Sequence, residues 1–242
     1  MTSKIDVFSS SVSFSEQDVR GKTVVIIDVL RASSTIQTAL ENGAAGIIPL
    51  GESDDPERYT RYLEASEILL CGEKGGLKVE GYKLGNSPLE YERQIVEKKT
   101  IILKTTNGTQ AIARCSTARD ILIGSFLNLS ALGNALKKHD QKDLLLICSG
   151  WNRRLSIEDL LCAGAILHIL FEKKIPNLAS DGVKIACGLF EKFGHDIPGL
   201  IHSSNHAKRL REIDYEEDVA YCSQVDLFSS VPRMKDGMIS IK

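Results

Sequence analysis

Six short apolar runs, each bounded by polar turns, constrain this chain more than any other feature. They lie at 23–29 (TVVIIDV), 46–50 (GIIPL), 67–72 (EILLCG), 100–105 (TIILKT), 120–124 (DILIG) and 143–148 (DLLLIC). Unbroken Val/Ile/Leu runs of this length mark strands buried on both faces. A further strand is expected at 4–9 (KIDVFS). Helical patterns fall between the runs, at 33–42, 55–65, 87–97, 108–115 and 128–138. Such alternation predicts an α/β fold, a mostly parallel sheet flanked by helices on both faces.

The character changes after residue 155. A long, mostly buried helix is expected over 156–173, with more helices near 180–193, 204–212 and 215–223. Lys235-Asp236-Gly237 sits between two short extended pieces and predicts a closing hairpin. Residues 1–150 thus form a strand-rich α/β half, and 151–242 a helix-rich half expected to complete the same domain.

Charge and cysteine usage narrow the function classes. The formal net charge of −2 gives no basic face for nucleic acid or anionic lipid. The six cysteines include no C-x-x-C pair, which argues against a zinc site and for reduced, buried thiols. The N-terminus MTSKIDVFSSSVSF does not read as a signal peptide. No apolar run approaches the roughly 20 residues of a membrane span. A cytoplasmic protein is expected. Apolar helices in the second half lead us to expect a homo-oligomer.

In open α/β sheets, ligands bind outside the carboxyl ends of the strands. Three polar turns hold that position: Asp28 to Thr35 after TVVII, Thr105 to Thr109 after TIILK, and Ser149 to Asp159 after DLLLIC. If the strands are parallel, all three face one rim. Each turn opens a helix, whose N-terminus attracts anions. Taken singly, Ser33, Thr106 and Ser156 read best as simple N-caps. Three such turns together, with Arg31 and Arg154 among them, point to an anion site. Asp28 either holds a metal or attacks substrate, or it caps its turn and pairs with Arg31; the residues leave both open. The Asp-x-Asp phosphatase pattern does not fit, because Leu30 occupies the second position.

Two further segments carry acids. Gly72 to Pro88 is a glycine-dense loop holding Glu73 and Lys78, suited to wrapping an anion with a metal. Ser156-Ile157-Glu158-Asp159 reads first as a capping box, and alternatively as a place where Glu158 or Asp159 holds Mg²⁺. Cys148 and Arg154 have the Cys-x5-Arg spacing of cysteine phosphatases, but the loop between them carries Trp151 and a single glycine. Of the five histidines, His139, His168, His195, His202 and His206, none lies in the three turns, so histidine is not the first choice for catalysis.

The segments IIDVLRASSTI, GEKGGLKVEGYKLGNSP, TTNGTQA, SIEDLLCAGA and EEDVAYCSQVDLFSSVP resemble the 2-phosphosulfolactate phosphatase family, from about residue 4 to 240. The resemblance implies a family-specific α/β topology and Mg²⁺-dependent hydrolysis of (2R)-2-phospho-3-sulfolactate to 3-sulfolactate and phosphate, a step of coenzyme M synthesis. Matching turns place Asp28, Arg31, Ser33, Ser34, Glu73, Lys78, Asn86, Thr106, Asn107, Gly108 and Asp159 in or near the site. We expect Asp28, Arg31, Glu73 and Asp159 to be catalytic. Asp28, Glu73 and Asp159 are the expected Mg²⁺ ligands. Ser33, Ser34, Thr35, Lys78, Asn86, Ser87, Thr106, Asn107, Gly108, Thr109 and Arg154 are expected to bind a small phosphorylated organic acid. The turn Trp151-Asn152-Arg153-Arg154 is bulkier than the family's, which puts a related phosphorylated acid in view. A metal-independent cysteine phosphatase using Cys148 and Arg154, and a non-catalytic phosphometabolite-binding protein, are the alternatives.

Overall fold

The computed structural model describes residues 5–60, 67–138, 143–172, 174–175 and 179–241. Its first half holds β1 (Ile5–Phe8), α1 (Glu16–Val19), β2 (Thr23–Ile27), α2 (Ala32–Glu41), β3 (Gly46–Pro49), α3 (Glu57–Thr60), β4 (Ile68–Lys74), β5 (Leu77–Lys78), α4 (Arg93–Val96) and β6 (Thr100–Lys104). There follow α5 (Gly108–Arg114), β7 (Asp120–Gly124), α6 (Leu129–Lys138), β8 (Leu144–Cys148), α7 (Ile157–Leu170), α8 (Asp181–Phe193), α9 (Ile197–His202), α10 (Asn205–Glu212), α11 (Glu216–Cys222), β9 (Arg233–Lys235) and β10 (Met238–Ser240). Every apolar run that predicted a strand forms one. The far end of the helix expected over 55–65, along with Lys4 and His139, lies outside the described residues.

The strand side chains explain the two-sided burial. Val25 and Ile27 of β2 join Leu144 and Leu146 of β8 in a core covered by α6 to α11. Val24 and Ile26 join Leu145 and Ile147 in a second core, covered by α1, α2, α4 and α5. Successive residues of one strand thus feed opposite layers, as the period of two requires.

The sheet order is β1-β8-β2-β7-β9-β10-β3-β6-β4-β5. Two parallel blocks, β1-β8-β2-β7 and β3-β6-β4, are joined by the C-terminal hairpin, which pairs antiparallel with both. Asp236 (φ 49°) and Gly237 (φ 82°) form its turn, the left-handed pair that suits a two-residue hairpin. Ile239 of β10 is fully buried against Ile47 of β3. Following the pairings across the hairpin, the second block runs opposite to the first. The three turns therefore do not share one rim of a uniformly parallel sheet. The carboxyl ends of β2 and β6 nonetheless meet in the folded protein. At Gly108, opening α5, a Cβ would come within 2.5 Å of the Ala32 Cβ and 2.8 Å of Asp28 Oδ2.

Two local expectations change. The glycine-rich stretch after residue 72 is a hairpin: β4 runs through Glu73 to Lys74, turns at Gly75 (φ 63°) and Gly76 (φ 92°), and returns as β5. The helix expected over 87–97 is instead a 3-10 turn, Pro88–Glu90, followed by α4. The buried Tyr91 interrupts it, its hydroxyl donating to the Gly85 carbonyl at 2.7 Å.

Candidate active site

The turn after β2 is locked from within. Asp28 N–H donates to Ser33 Oγ at 2.9 Å, and Ala32 N–H to Asp28 Oδ1 at 3.2 Å. Ser34 Oγ donates to the Val29 carbonyl, and Thr35 Oγ1 to the Asn86 carbonyl at 2.8 Å. All three hydroxyls are buried. Ser33, Ser34 and Thr35 were expected to contact substrate; they hold the turn and tie it to the 86–88 segment instead. In the turn after β6, the Thr105 and Thr109 hydroxyls bond reciprocally to each other's backbone N–H at 3.0 Å, so Thr109 is also structural.

The carboxylates divide by what occupies their oxygens. Glu73 accepts Thr106 N–H (2.6 Å) and Oγ1 (3.0 Å) and Gly76 N–H (2.7 Å), joining its own hairpin to the turn after β6. Asp159 accepts Val29 N–H at 2.8 Å and Gly150 N–H at 3.1 Å. The capping box is thus only half formed: Ser156 caps α7, while Asp159 reaches across to brace two strand-end turns. Asp28 alone of the three keeps a carboxylate oxygen, Oδ2, that no such donor holds. Burial pushes the Asp28 carboxyl up to about 6. Burial, then the nearby Asp28 and Glu158 charges, push Asp159 well above the usual carboxylate range.

Arg31 is likewise committed. Its guanidinium donates to Asp218 Oδ2 at 2.5 Å and to the Gly76 carbonyl at 2.6 Å, and lies 4.2 Å above the Tyr215 ring. Ser87 Oγ donates to the other Asp218 oxygen at 2.6 Å. The expected catalytic arginine is a clamp between the β2 turn, the β4–β5 hairpin and α11, because its buried ion pair with Asp218 needs a partner on each side and its second arm reaches the Gly76 carbonyl.

A cavity of about 220 Å³ opens at this junction. Of the expected residues, Asp28, Arg31, Glu73, Asn86, Thr106 and Asn107 line it. Asp159, Ser33, Ser34, Thr35, Ser87, Gly108 and Thr109 stand behind the wall. Lys78 is exposed on β5, and Arg154 faces a neighbouring cavity of about 300 Å³. The wall also holds Trp151 and Asn152 of the third expected turn, and His206, Arg209 and Leu210, which sequence reasoning missed. His206, Arg209 and Leu210 lie on one face of α10, at a spacing that signals a shared face but not what that face meets. His206 stacks on Trp151 with ring centroids 5.3 Å apart, and its Nδ1 is 3.1 Å from Oε1 of the buried Glu158. Burial alone would raise the Glu158 carboxyl; the bond to His206 and its charge hold it below the usual value.

Among the described residues, no three His, Cys, Asp or Glu side chains come together to hold a metal. The expected trio Asp28, Glu73 and Asp159 does not assemble, since backbone N–H groups saturate two of its members. A hard divalent ion can bind through one or two protein oxygens when phosphate and water complete its shell. Asp28 supplies a carboxylate, and Asn86 Oδ1 is buried with no hydrogen-bond partner. Those two oxygen donors suit Mg²⁺.

The cysteine alternative fails on position. Cys148 is fully buried in the core beside Cys162, outside the cavity lining, and burial pushes its thiol far above the ordinary value, which disfavours a thiolate nucleophile. No described helix is long and apolar enough to cross a membrane.

Comparison with known proteins relates nearly all of the chain to one family. The 2-phosphosulpholactate phosphatase family model matches residues 10–237. A probable 2-phosphosulfolactate phosphatase of Thermotoga maritima is 43% identical over 224 residues, covering 93% of this chain and 94% of its own. Its counterpart in Caldanaerobacter subterraneus subsp. tengcongensis is 36% identical over 236 residues, 97% of each chain. That of Clostridium acetobutylicum is 36% identical over 236 residues, 98% of this chain and 99% of its own. With the family model spanning nearly all of its length and relatives aligned end to end, the chain belongs to the 2-phosphosulpholactate phosphatase family.

Proposed function

We propose that the chain hydrolyses the phosphate ester of 2-phosphosulfolactate, with Mg²⁺ held by Asp28 and Asn86. The carrying observation is the pairing, in one polar cavity, of a buried carboxylate that has a spare oxygen with the unpartnered Asn86 Oδ1. The probable 2-phosphosulfolactate phosphatases among its relatives support the substrate. Bound there, Mg²⁺ would neutralise charge on the phosphoryl oxygens. Asn107 and Thr106 line the same cavity beside Asp28, and Asn107 is the side chain there that would meet the phosphate. Arg209 stands at the mouth, away from the buried acids that engage Arg31, and suits the sulfonate or carboxylate. Trp151 walls the side and limits water. On this reading the product, 3-sulfolactate, enters coenzyme M synthesis.

The test is phosphate release from phosphosulfolactate, phospholactate and phosphoglycerate, with Mg²⁺ and with EDTA. Metal-dependent release, fastest with the sulfonate, is expected. Release that survives EDTA would refute the metal, and indifference to the sulfonate would refute the substrate. Cys148→Ser is expected to keep its phosphate release while lowering the melting temperature, since a hydroxyl in an apolar core costs roughly 1–3 kcal/mol. Loss of turnover in a folded Cys148→Ser protein would restore the cysteine mechanism.

A further inference from the structure

Hydrolysis of an alkyl phosphate leaves a problem that the carboxylates do not solve. The leaving group is an alkoxide, which departs slowly unless a proton arrives as the bond breaks. Asp159 and Glu73 are engaged by N–H donors, and Arg31 by Asp218. His206 is differently placed. One ring nitrogen, Nδ1, meets Glu158 Oε1 at 3.1 Å. A carboxylate accepts, so Nδ1 donates, and in the imidazolium form Nε2 carries the second N–H, the one that Glu158 does not hold. The ring is fixed on its face by Trp151, at an interplanar angle of 18°. Glu158 is 1% exposed and is itself held at the first turn of α7, so it has no freedom to swing away. Its second oxygen, Oε2, has no hydrogen-bond partner, and the His206 ring is the largest favourable contact of this buried acid, ahead of its own backbone N–H and the Ser156 hydroxyl. The same cavity is lined by Asp28 and Arg31 from the turn after β2, Glu73 from β4 and Arg209 from α10 itself, the charged groups that His206 shares it with.

Resting on the phosphatase reading above, we infer that His206, positioned by Glu158 and Trp151, is a catalytic residue that protonates the leaving oxygen. As the bond from phosphorus to the ester oxygen breaks, its electron pair stays on that oxygen, which takes the proton from His206 Nε2. The new bond forms between phosphorus and a water oxygen. That water keeps one proton on the product phosphate and releases the other to solvent, from which His206 is recharged. Ester and water become alcohol and phosphate, with no other reactant. Glu158 touches no substrate and acts through His206 as a positioning residue.

The test is leaving-group dependence. His206→Ala and His206→Gln, with Glu158→Gln, are assayed with Mg²⁺ on phosphosulfolactate, glycerol 2-phosphate and p-nitrophenyl phosphate. In the His206 variants, kcat/KM on the two alkyl esters should fall about 100-fold or more, within the usual range for general acid catalysis. Nitrophenolate departs without a proton, so the loss on the aryl ester should be at least about tenfold smaller. Glu158→Gln should show the same selectivity with a smaller loss. Equal losses on alkyl and aryl esters, or none, would overturn the assignment. A wild-type enzyme that cleaves glycerol 2-phosphate but not phosphosulfolactate would refute the substrate alone, and the variant ratios on glycerol 2-phosphate would still decide the role of His206. A wild type that cleaves no alkyl ester would overturn both.

Discussion

Asp28→Asn is expected to lose about a thousandfold or more in turnover with the fold intact. Charge stabilisation at a phosphoryl group by a bound ion is worth several kcal/mol, and each 1.36 kcal/mol is tenfold in rate. Asparagine removes the charge that would hold Mg²⁺ and so forfeits that stabilisation. It keeps an oxygen to accept the Ala32 N–H, so the turn keeps its internal bonding. Stability should move the other way from activity. Burial raises the Asp28 carboxyl to about 6, above its ordinary 3.8. The folded state therefore binds this proton more tightly than the unfolded chain, and stability is lost as pH rises from about 3.8 to about 6. At pH 7 without metal, the wild type carries that penalty and the asparagine variant does not. Melting temperatures at pH 7 with EDTA should be equal or higher in the variant, while phosphate release with Mg²⁺ collapses. Turnover near that of the wild type would remove Asp28 from the mechanism.

The second large effect is on stability. Arg31→Ala should cost about 3–5 kcal/mol, the usual result of leaving one member of a buried ion pair without its partner. Both side chains are 2% exposed, and the guanidinium also satisfies the Gly76 carbonyl. That is a large share of the roughly 5–15 kcal/mol that holds an ordinary domain together. Arg31→Lys should rescue little, because an ammonium lacks the planar fork that reaches Asp218 and Gly76 together. Asp218→Ala should cost a similar amount, and the double variant less than the two single losses added. Urea denaturation of the four proteins measures that coupling. Additive losses, or a loss under about 1 kcal/mol for Arg31→Ala, would show that the pair does not hold these segments. Activity should fall too, since the clamp fixes two walls of the cavity.

These two residues show how far the sequence reaches. Asp28 was visible because a polar residue closing a Val/Ile run marks a strand end, and strand ends are where α/β sheets bind ligands. Arg31 was visible as a cation in the same turn, but its partner is 187 residues away, and nothing local distinguishes a guanidinium awaiting an anion from one already paired. Asp159 repeats the lesson. The capping pattern identified the start of α7 through Ser156, yet the Asp159 side chain bonds to Val29, 130 residues distant. His206 showed only a place on a helix face, since its partner Glu158 lies 48 residues away on another helix.

By itself the sequence determined the strands, most of the helices, the turns that carry the site and the closing hairpin. Each depends on side-chain periodicity and on backbone preferences that neighbouring residues express without help, as at Asp236-Gly237. The insertion of that hairpin between two opposed parallel blocks, and the meeting of the β2 and β6 carboxyl ends, were decided only in the tertiary structure. So were the choice of which acids brace the walls and which face the cavity, and the approach of α10 with His206. Those outcomes depend on how whole layers pack and rotate against one another, and on which buried donors each layer leaves to be satisfied.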